Sequence, residues 1–515
     1  MIDGKADKSR VVSLSVAPGK TSRVSFGYTP YDSRAYTYSL ATIATRKNPD
    51  TGKDEGYFQD IPGSAGTFKI SDKVYKHGKI ASCRITVDDI DDSKNVFGSI
   101  IKGKVTFNNT GTLDFEDKVR IVFADGSTGK GLDYVETTIS VPAGQSGDVP
   151  FTFSGLEPNK QYVIAGFFYD YQFNQLNPAL SFTAKEGVLA VNADGTFKNY
   201  DPSKVMNLTH AAAVDFQSSA VTGTITPSAN PNALYYFNAS ATVPTALNGK
   251  NVIKGNVADK IALVDGAEAD FFPIYNFTAS DITYTRNFAK GNDGTTYNWQ
   301  TIVLPFDVTD ITVNDTSYDW FRAKEEKGKS IWLMNVYGED ESDNKMYYEY
   351  SQEFKANRPY IIAVAGNRWG AKYDLTAKNI VFHGTNAEIA YNTKAVVSTN
   401  KYNFYGSYRA KTLESAYQLN ATGTKFVGMP SLTIAPFHAY FKSDGEVITE
   451  TSGAKELKVC ILGDDPTGIH TVHDENEASF HTIYNVSGVV VGHGKADFDH
   501  LPKGVYIMNG KKIIK

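Results

Sequence analysis

The run Leu14-Ser-Val-Ala-Pro-Gly19-Lys-Thr-Ser-Arg-Val24-Ser-Phe26-Gly-Tyr28 returns 125 residues later as Ile139-Ser-Val-Pro-Ala-Gly144-Gln-Ser-Gly-Asp-Val149-Pro-Phe151-Thr-Phe153. Both copies alternate apolar and polar residues on either side of a Pro/Gly turn, the pattern of two half-buried strands. After a one-residue slip Tyr36 matches Tyr162, which follows Leu156-Glu-Pro158-Asn-Lys-Gln. In the second copy about 60 residues of strand pattern precede the match, from Cys83-Arg-Ile-Thr-Val87 through Gly103-Lys-Val105-Thr-Phe107 to Lys118-Val-Arg-Ile-Val-Phe123; the first copy has 13 residues there. The expectation is that the chain opens inside a duplicated β unit. Residues 1–78 are then the tail of a domain whose opening strands, with any signal peptide, lie upstream of Met1.

Composition agrees with a large globular protein of several domains. The 515 residues are 41% apolar and 13% aromatic, with 52 Lys and Arg against 57 Asp and Glu for a net charge of −5. A slightly acidic chain without a basic run gives no electrostatic reason to expect nucleic acid as partner. The longest apolar stretches, such as Tyr360 to Ala365, fall short of a transmembrane segment. Two cysteines, Cys83 and Cys460, write no metal motif and no disulfide framework. Each reads as a small buried apolar residue.

Strand patterns rich in Val, Ile, Thr, Tyr and Phe continue nearly everywhere. From Gly187 to about Asp270 the apolar runs shorten, as in Leu234-Tyr-Tyr-Phe237 and Ile261-Ala-Leu-Val264. This suits either a ladder of short strands or one sheet of a sandwich. Asp464-Asp-Pro-Thr-Gly468 to Ala478 is polar and reads as a linker. Beyond it Thr482 to Val491, Leu501 to Gly510 and Lys511 to Lys515 read as three short strands.

Several stretches resemble known families. The leucine, proline, tyrosine spacing before Tyr162 resembles the tyrosine corner of fibronectin type III and immunoglobulin-like sandwiches, in which the phenol bonds back to the backbone. Residues 80 to about 186, with the turn Phe107-Asn-Asn-Thr-Gly111, resemble bacterial CARDB-like adhesion modules. Asn230-Pro-Asn-Ala-Leu-Tyr-Tyr236, Asp270-Phe-Phe-Pro273, Trp299-Gln-Thr-Ile-Val-Leu-Pro305, Arg358-Pro-Tyr-Ile-Ile362 and Phe437-His-Ala-Tyr-Phe441 resemble a block of secreted Bacteroidota surface proteins. The ending is similar to the type A C-terminal sorting domain of type IX secretion substrates. That likeness implies a sorting signal at Gly488, Leu501, Pro502, Gly504, Tyr506, Lys511 and Lys512.

Candidate chemistry is sparse. Asp88, Asp89, Asp91 and Asp92 are placed where acidic clusters bind calcium between sandwiches, but without the order of an EF-hand loop. His470 and His473 lie in the polar linker. No Gly-x-Ser-x-Gly elbow and no phosphate-cradling Gly-x-x-x-x-Gly-Lys-Ser/Thr loop is written. Phe167, Tyr169, Tyr171 and Phe173 are the candidate ligand-binding aromatics, either a platform for sugars or protein partners or strand residues packing a core.

The sequence thus predicts an all-β chain: tandem immunoglobulin-like β-sandwich domains with a small C-terminal β minidomain. Its expected parts are 1–78, 79–186, 187–285, 286–460, a linker at 461–478 and the minidomain 479–515. The resemblances imply a non-catalytic scaffold or adhesion region of a larger exported protein, extracellular or at the cell surface. Its expected partners are the secretion machinery and a host or matrix protein or glycan, with calcium as the cofactor to consider. The alternatives are the accessory C-terminal region of a secreted cysteine protease or glycoside hydrolase, and a carbohydrate-binding module.

Overall fold

The computed structural model describes residues 2, 13–25, 35–69, 78–88, 90, 93–170, 172–216, 219–340, 344–449, 455–462, 482–485, 490–493, 500–508 and 511–514. Strands dominate, with short 3-10 turns at Thr245–Leu247 and Asn367–Trp369, so the protein is all-β as expected. Among the described residues no helix is long and apolar enough to cross a membrane. The chain divides into two compact units, residues 1–185 and 186–515.

In the first unit, residues 80–185 form a β-sandwich. One sheet joins Ser146–Ser154, Ile100–Asn109 and Ile80–Val87. The other runs Asn95–Phe97, Leu180–Lys185, Gln161–Asp170, Phe115–Asp125 and Gly131–Val141, with Gln172–Gln175 folded back on Gln161–Asp170. Inward residues of both sheets, among them Val105, Phe107, Val119, Ile121 and Ile164, share one core. Cys83 is buried in it, whereas Cys460 of the second unit is half-exposed, contrary to expectation. Strand alternation accounts for this, since Leu457, Val459 and Ile461 of Glu456–Ile461 face the core and Cys460 faces the other way.

Two polar side chains tie this sandwich together. Tyr162 is buried, and its phenol oxygen accepts the N–H of Glu157 at 3.0 Å, the backbone contact expected of a tyrosine corner. Asn109, at the end of its strand, is buried and fully used. Its Oδ1 accepts the N–H groups of Lys79 (2.9 Å) and Gly111 (3.0 Å), and its Nδ2 donates to the carbonyls of Leu113 (2.8 Å) and Val141 (2.9 Å). The Val141 bond crosses from one sheet to the other.

The two copies of the repeat share structural detail. Lys20 N–H bonds Ala17 O at 3.0 Å, and the matching Gln145 N–H bonds Pro142 O at 3.0 Å. Gly19 and Gly144 take φ of 75° and 69°, which disfavours a side chain at the turn. Tyr36 faces Phe68 across strands as Tyr162 faces Phe182, with rings stacked in both pairs. The first copy differs from expectation in that residues 13–25 hold the turn but no strand, since a strand exists only where its edge finds a ladder partner. Phe26 and Tyr28 lie outside the described residues. Farther on, Ala35–Tyr38 pairs with Gly66–Lys69 and Ala41–Lys47 with Asp54–Asp60, leaving Ile43 60% exposed.

The second unit is built on two large sheets. The ten-stranded sheet runs Phe197–Tyr200, Val188–Asn192, Ala211–Asp215, Leu234–Phe237, Asn251–Lys254, Val257–Val264, Phe277–Asn287, Asn379–Ile389, Asp310–Val313 and Thr316–Tyr318. The eleven-stranded sheet runs Gln300–Ile302, Tyr360–Val364, Ile331–Asp340, Lys345–Tyr350, Glu456–Ile461, Lys425–Ile434, Lys411–Leu419, His438–Ser443, Tyr402–Ser407 and Val396–Ser398, with Trp320–Phe321 beside Ile331–Asp340. Leu234, Tyr236, Ile282 and Phe382 of the first meet Ile302, Leu333 and Ile362 of the second in one core. The opposite faces are also covered, by clusters holding Tyr235 and Phe237 or Trp332 and Met334. Burial on both faces is why these strands read as unbroken apolar runs.

Residues 187–285 combine the two expected arrangements: Ala211–Asp215, Leu234–Phe237 and Asn251–Lys254 stack as short parallel strands in ladder fashion, and the ladder continues into the ten-stranded sheet. The expected boundary at 285 is corrected: it falls inside Phe277–Asn287, which pairs along its length with Asn379–Ile389. Backbone pairing between distant segments leaves no local mark at that position. The expected linker lies largely outside the described residues. The C-terminal segment forms four strands where three were expected, in the order Val490–His493, Thr482–Asn485, Val505–Met508, Lys511–Ile514.

A buried polar network bridges the two large sheets. Arg286, 3% exposed, donates from Nη1 to Thr301 O (2.9 Å) and from Nη2 to Gln300 Oε1 (2.7 Å), while its Nε is ion-paired with Asp265 at 3.5 Å. His438 Nδ1 donates to Pro436 O (2.9 Å), which leaves Nε2 to accept from Arg286 Nη2 (2.9 Å). Burial first, and the Arg286 charge second, lower the His438 pKa to about 4.

Two predictions follow from these contacts. Tyr162→Phe should cost about 1 kcal/mol of first-unit stability and Asn109→Ala about 2–3 kcal/mol, because only the latter strands several buried groups; urea unfolding measures both. The unfolded chain protonates His438 at higher pH than the folded one, so its contribution is complete above about pH 6.5 and lost as pH falls towards 4. The acid side of the second unit's stability profile should be shallower in His438→Gln than in the parent, as read by thermal midpoints across that window.

Candidate functional site

The aromatics singled out in the sequence lie on the outer face of the first unit's larger sheet. Phe167 stands opposite Arg120, and Tyr169 opposite Phe173. The Arg120 guanidinium sits 3.8 Å from the Phe173 ring centre and 4.8 Å from that of Tyr134, and Arg120 is held by Glu136 at 2.5 Å. Phe167, Tyr169 and Phe173 are half-buried. The Tyr169 and Phe173 rings meet edge to face at 66°, so they present no common plane to a sugar. Tyr134, 58% exposed, is the most open member of the group. Tyr171 lies outside the described residues.

Of the calcium candidates, Asp88 is exposed and ion-paired with Lys102 at 3.7 Å. Asp89, Asp91 and Asp92 lie outside the described residues, as do His470 and His473. Among the described residues no group of three or more His, Cys, Asp or Glu is gathered to hold a metal. In the terminal sheet the Tyr506 hydroxyl donates to Pro502 O at 2.7 Å, Tyr506 is buried, and Gly504 lies against its ring. Leu501 is half-buried. Lys511 and Lys512 belong to the last strand, paired with Val505–Met508; Gly488 lies outside the described residues.

The second unit holds a cleft that sequence reading missed. Its volume is about 400 Å³, and its walls include Phe272, Tyr391, Lys394, Tyr405, Arg409 and Tyr440. Tyr405 and Tyr440 face one another across paired strands with rings stacked 5.5 Å apart. The strand carrying Tyr405 comes close to Val303 because Gly406 has no side chain; a Cβ there would be 2.8 Å from the valine methyls.

The turn after this strand is fixed by its own polar groups. Ser407 Oγ donates to Arg409 O (2.7 Å), Tyr408 OH to Asn357 Oδ1 (2.7 Å), and the Ala410 N–H to Asp270 Oδ1 (2.6 Å). Arg409 then lies 4.2 Å from the Phe272 ring centre and donates from Nη1 to Ala193 O at 2.6 Å. Lys411 places Nζ 5.1 Å from the Tyr440 ring centre. Desolvation, then the Arg409 charge, hold the Lys411 ammonium below the ordinary lysine range, while burial pushes the Tyr440 phenol up to about 12.

Cations resting on aromatic faces beside an open cleft can bind an anion that also has a ring or apolar face. The run Tyr405-Gly-Ser-Tyr408-Arg-Ala-Lys411, two tyrosines followed by two cations, was the readable signal for it.

No protein-family model matches this sequence, and no curated protein is significantly similar to it. Among solved structures, a CARDB domain from Pyrococcus furiosus is 14% identical over 21% of this chain and 97% of its own, with a TM-score of 0.17. An alkylpurine DNA glycosylase from Pseudomonas fluorescens is 15% identical over 20% of this chain and 31% of its own, with a TM-score of 0.16. A β-glucosidase from Listeria innocua is 9% identical over 20% of this chain and 16% of its own, with a TM-score of 0.16. The chain thus spans less than a third of the two enzymes' length, and likenesses this slight assign neither activity nor ligand.

Removing the neighbouring charge tests the electrostatics of the cleft. Arg409→Gln should move the Lys411 pKa part of the way back up, followed by NMR titration of lysine side chains; an unmoved Lys411 would leave burial as its whole cause.

Proposed function

We propose that this chain is a non-catalytic scaffold and adhesion region of an exported Bacteroidota-type protein, working outside the cell or at its surface. Its sandwiches space and present the binding surface, and its last strands serve as the tag read by type IX secretion machinery.

The observation that carries this reading is the closure of the Leu501-Pro-x-Gly-x-Tyr506 run on itself. The Tyr506 to Pro502 bond and the pairing of Val505–Met508 on both edges give a six-residue motif a fixed shape. A receptor that must recognise many cargoes through one short segment needs such preorganisation. A second reading, a carbohydrate-binding accessory module of a secreted enzyme, is favoured by the cation-lined cleft of the second unit.

Expression of the full chain in a Bacteroidota host with type IX machinery tests the export tag. Tyr506→Ala should deplete the surface and medium fractions several-fold while the cell-associated protein stays folded, as followed by immunoblot of fractions. Export that is indifferent to this change would remove the tag from the proposal.

A further inference from the structure

We propose that the cleft bounded by Phe272, Tyr391, Arg409 and Lys411 is a binding site for a carboxylated, uronic-acid-type oligosaccharide. This rests on the adhesive reading above and is independent of the export tag.

Charge is the first reason. Lys394, Arg409 and Lys411 converge on the cleft, and neither lysine has an ion-pair partner among the described residues. Asp270 and Asp194 both lie within Coulombic reach of Arg409 and offset its charge, so the open positive charge of the cleft is that of Lys394 and Lys411. Burial first, and the Arg409 charge second, hold the Lys411 ammonium below the ordinary lysine range, and a bound anion would offset both.

Shape is the second reason. Tyr391 is 51% exposed and Tyr405 and Phe272 are half-buried, so rigid rings line the cleft beside the cations. Such rings take the apolar face of a sugar at little entropic cost. A volume of about 400 Å³ lies towards the small end of ligand sites and suits a short saccharide segment.

Other anions fit less well. Arg409 spends Nη1 on Ala193 O and its face on Phe272, so it does not offer the free fork that phosphate recognition favours. An extended acidic peptide would add to a strand edge, but the edge of Tyr402–Ser407 beside the cleft is already paired with Val396–Ser398.

Isothermal titration of the purified full chain with tetragalacturonate, its fully methyl-esterified form, inorganic phosphate and a short poly-glutamate decides the matter. Tetragalacturonate should bind saturably and more weakly at high salt, with the methyl ester weaker by about tenfold. Lys411→Gln should weaken it about tenfold and Tyr391→Ala several-fold, with the thermal midpoint unchanged in Tyr391→Ala because that side chain is exposed.

Equal affinity for the methyl ester, indifference to Lys411→Gln, or preference for phosphate or poly-glutamate would each overturn the assignment. A glycan array separates the two levels of the argument. Binding to neutral glycans alone would sink the acidic class and leave the adhesive reading standing, whereas a blank array together with silent titrations would sink both.

Discussion

A buried phenol that bonds the backbone at a turn recurs through this chain, and the placement of its strands depends on it. Tyr162 accepts from Glu157, Tyr235 from Ser228 at 2.9 Å, and Tyr360 from Lys355 at 2.9 Å, while Tyr506 donates to Pro502. A chain built of strands must satisfy many polar groups where strands end, often where the core is already dry. Tyrosine does this with one residue, since its ring fills the core and its hydroxyl reaches the turn. This constraint places some of the chain's 31 tyrosines, and other aromatics pack cores and cross-strand pairs. The raised pKa values of Tyr235 and Tyr360 reflect the same burial.

The second unit extends the same logic to a larger scale. Its central strands are covered on both faces, so their ends and turns are where polar chemistry can be placed. The cleft lies at such an end, where the turn between Ser407 and Lys411 lays its charged side chains onto Phe272 and Tyr440. Behind it, Phe437 touches both Tyr408 of the turn and Tyr284 of the opposite sheet, beside the Arg286 and His438 network. The cleft is thus backed by buried, mutually packed rings, which hold its walls in fixed positions.

Features written in short stretches were legible in the sequence. The duplicated turn at Gly19 and Gly144, the corner at Tyr162 and the core position of Cys83 each rest on spacing within one or two strands. What depends on distant pairing was not legible. The ten-stranded sheet joins residues 188–287 to residues 310–389, and period-two alternation is the same whichever strand lies next door. The cleft likewise draws Phe272, Tyr391, Arg409 and Tyr440 from separate segments. The aromatic run at Phe167 to Phe173 was visible, but its role was not: Arg120, remote in sequence, claims the Phe173 face.

The pairing of Phe277–Asn287 with Asn379–Ile389 also bears on how the chain assembles. A ribosome delivers the first of these strands long before the second, so half of the larger core must wait with an open edge. Contacts so far apart make folding slow in general, and the waiting edge is a place for wrong partners. The polar residues that punctuate Phe277–Asn287 towards solvent, Ser280 and Asp281 among them, are of the kind that keeps such an edge from sticking to its neighbours until its own partner arrives.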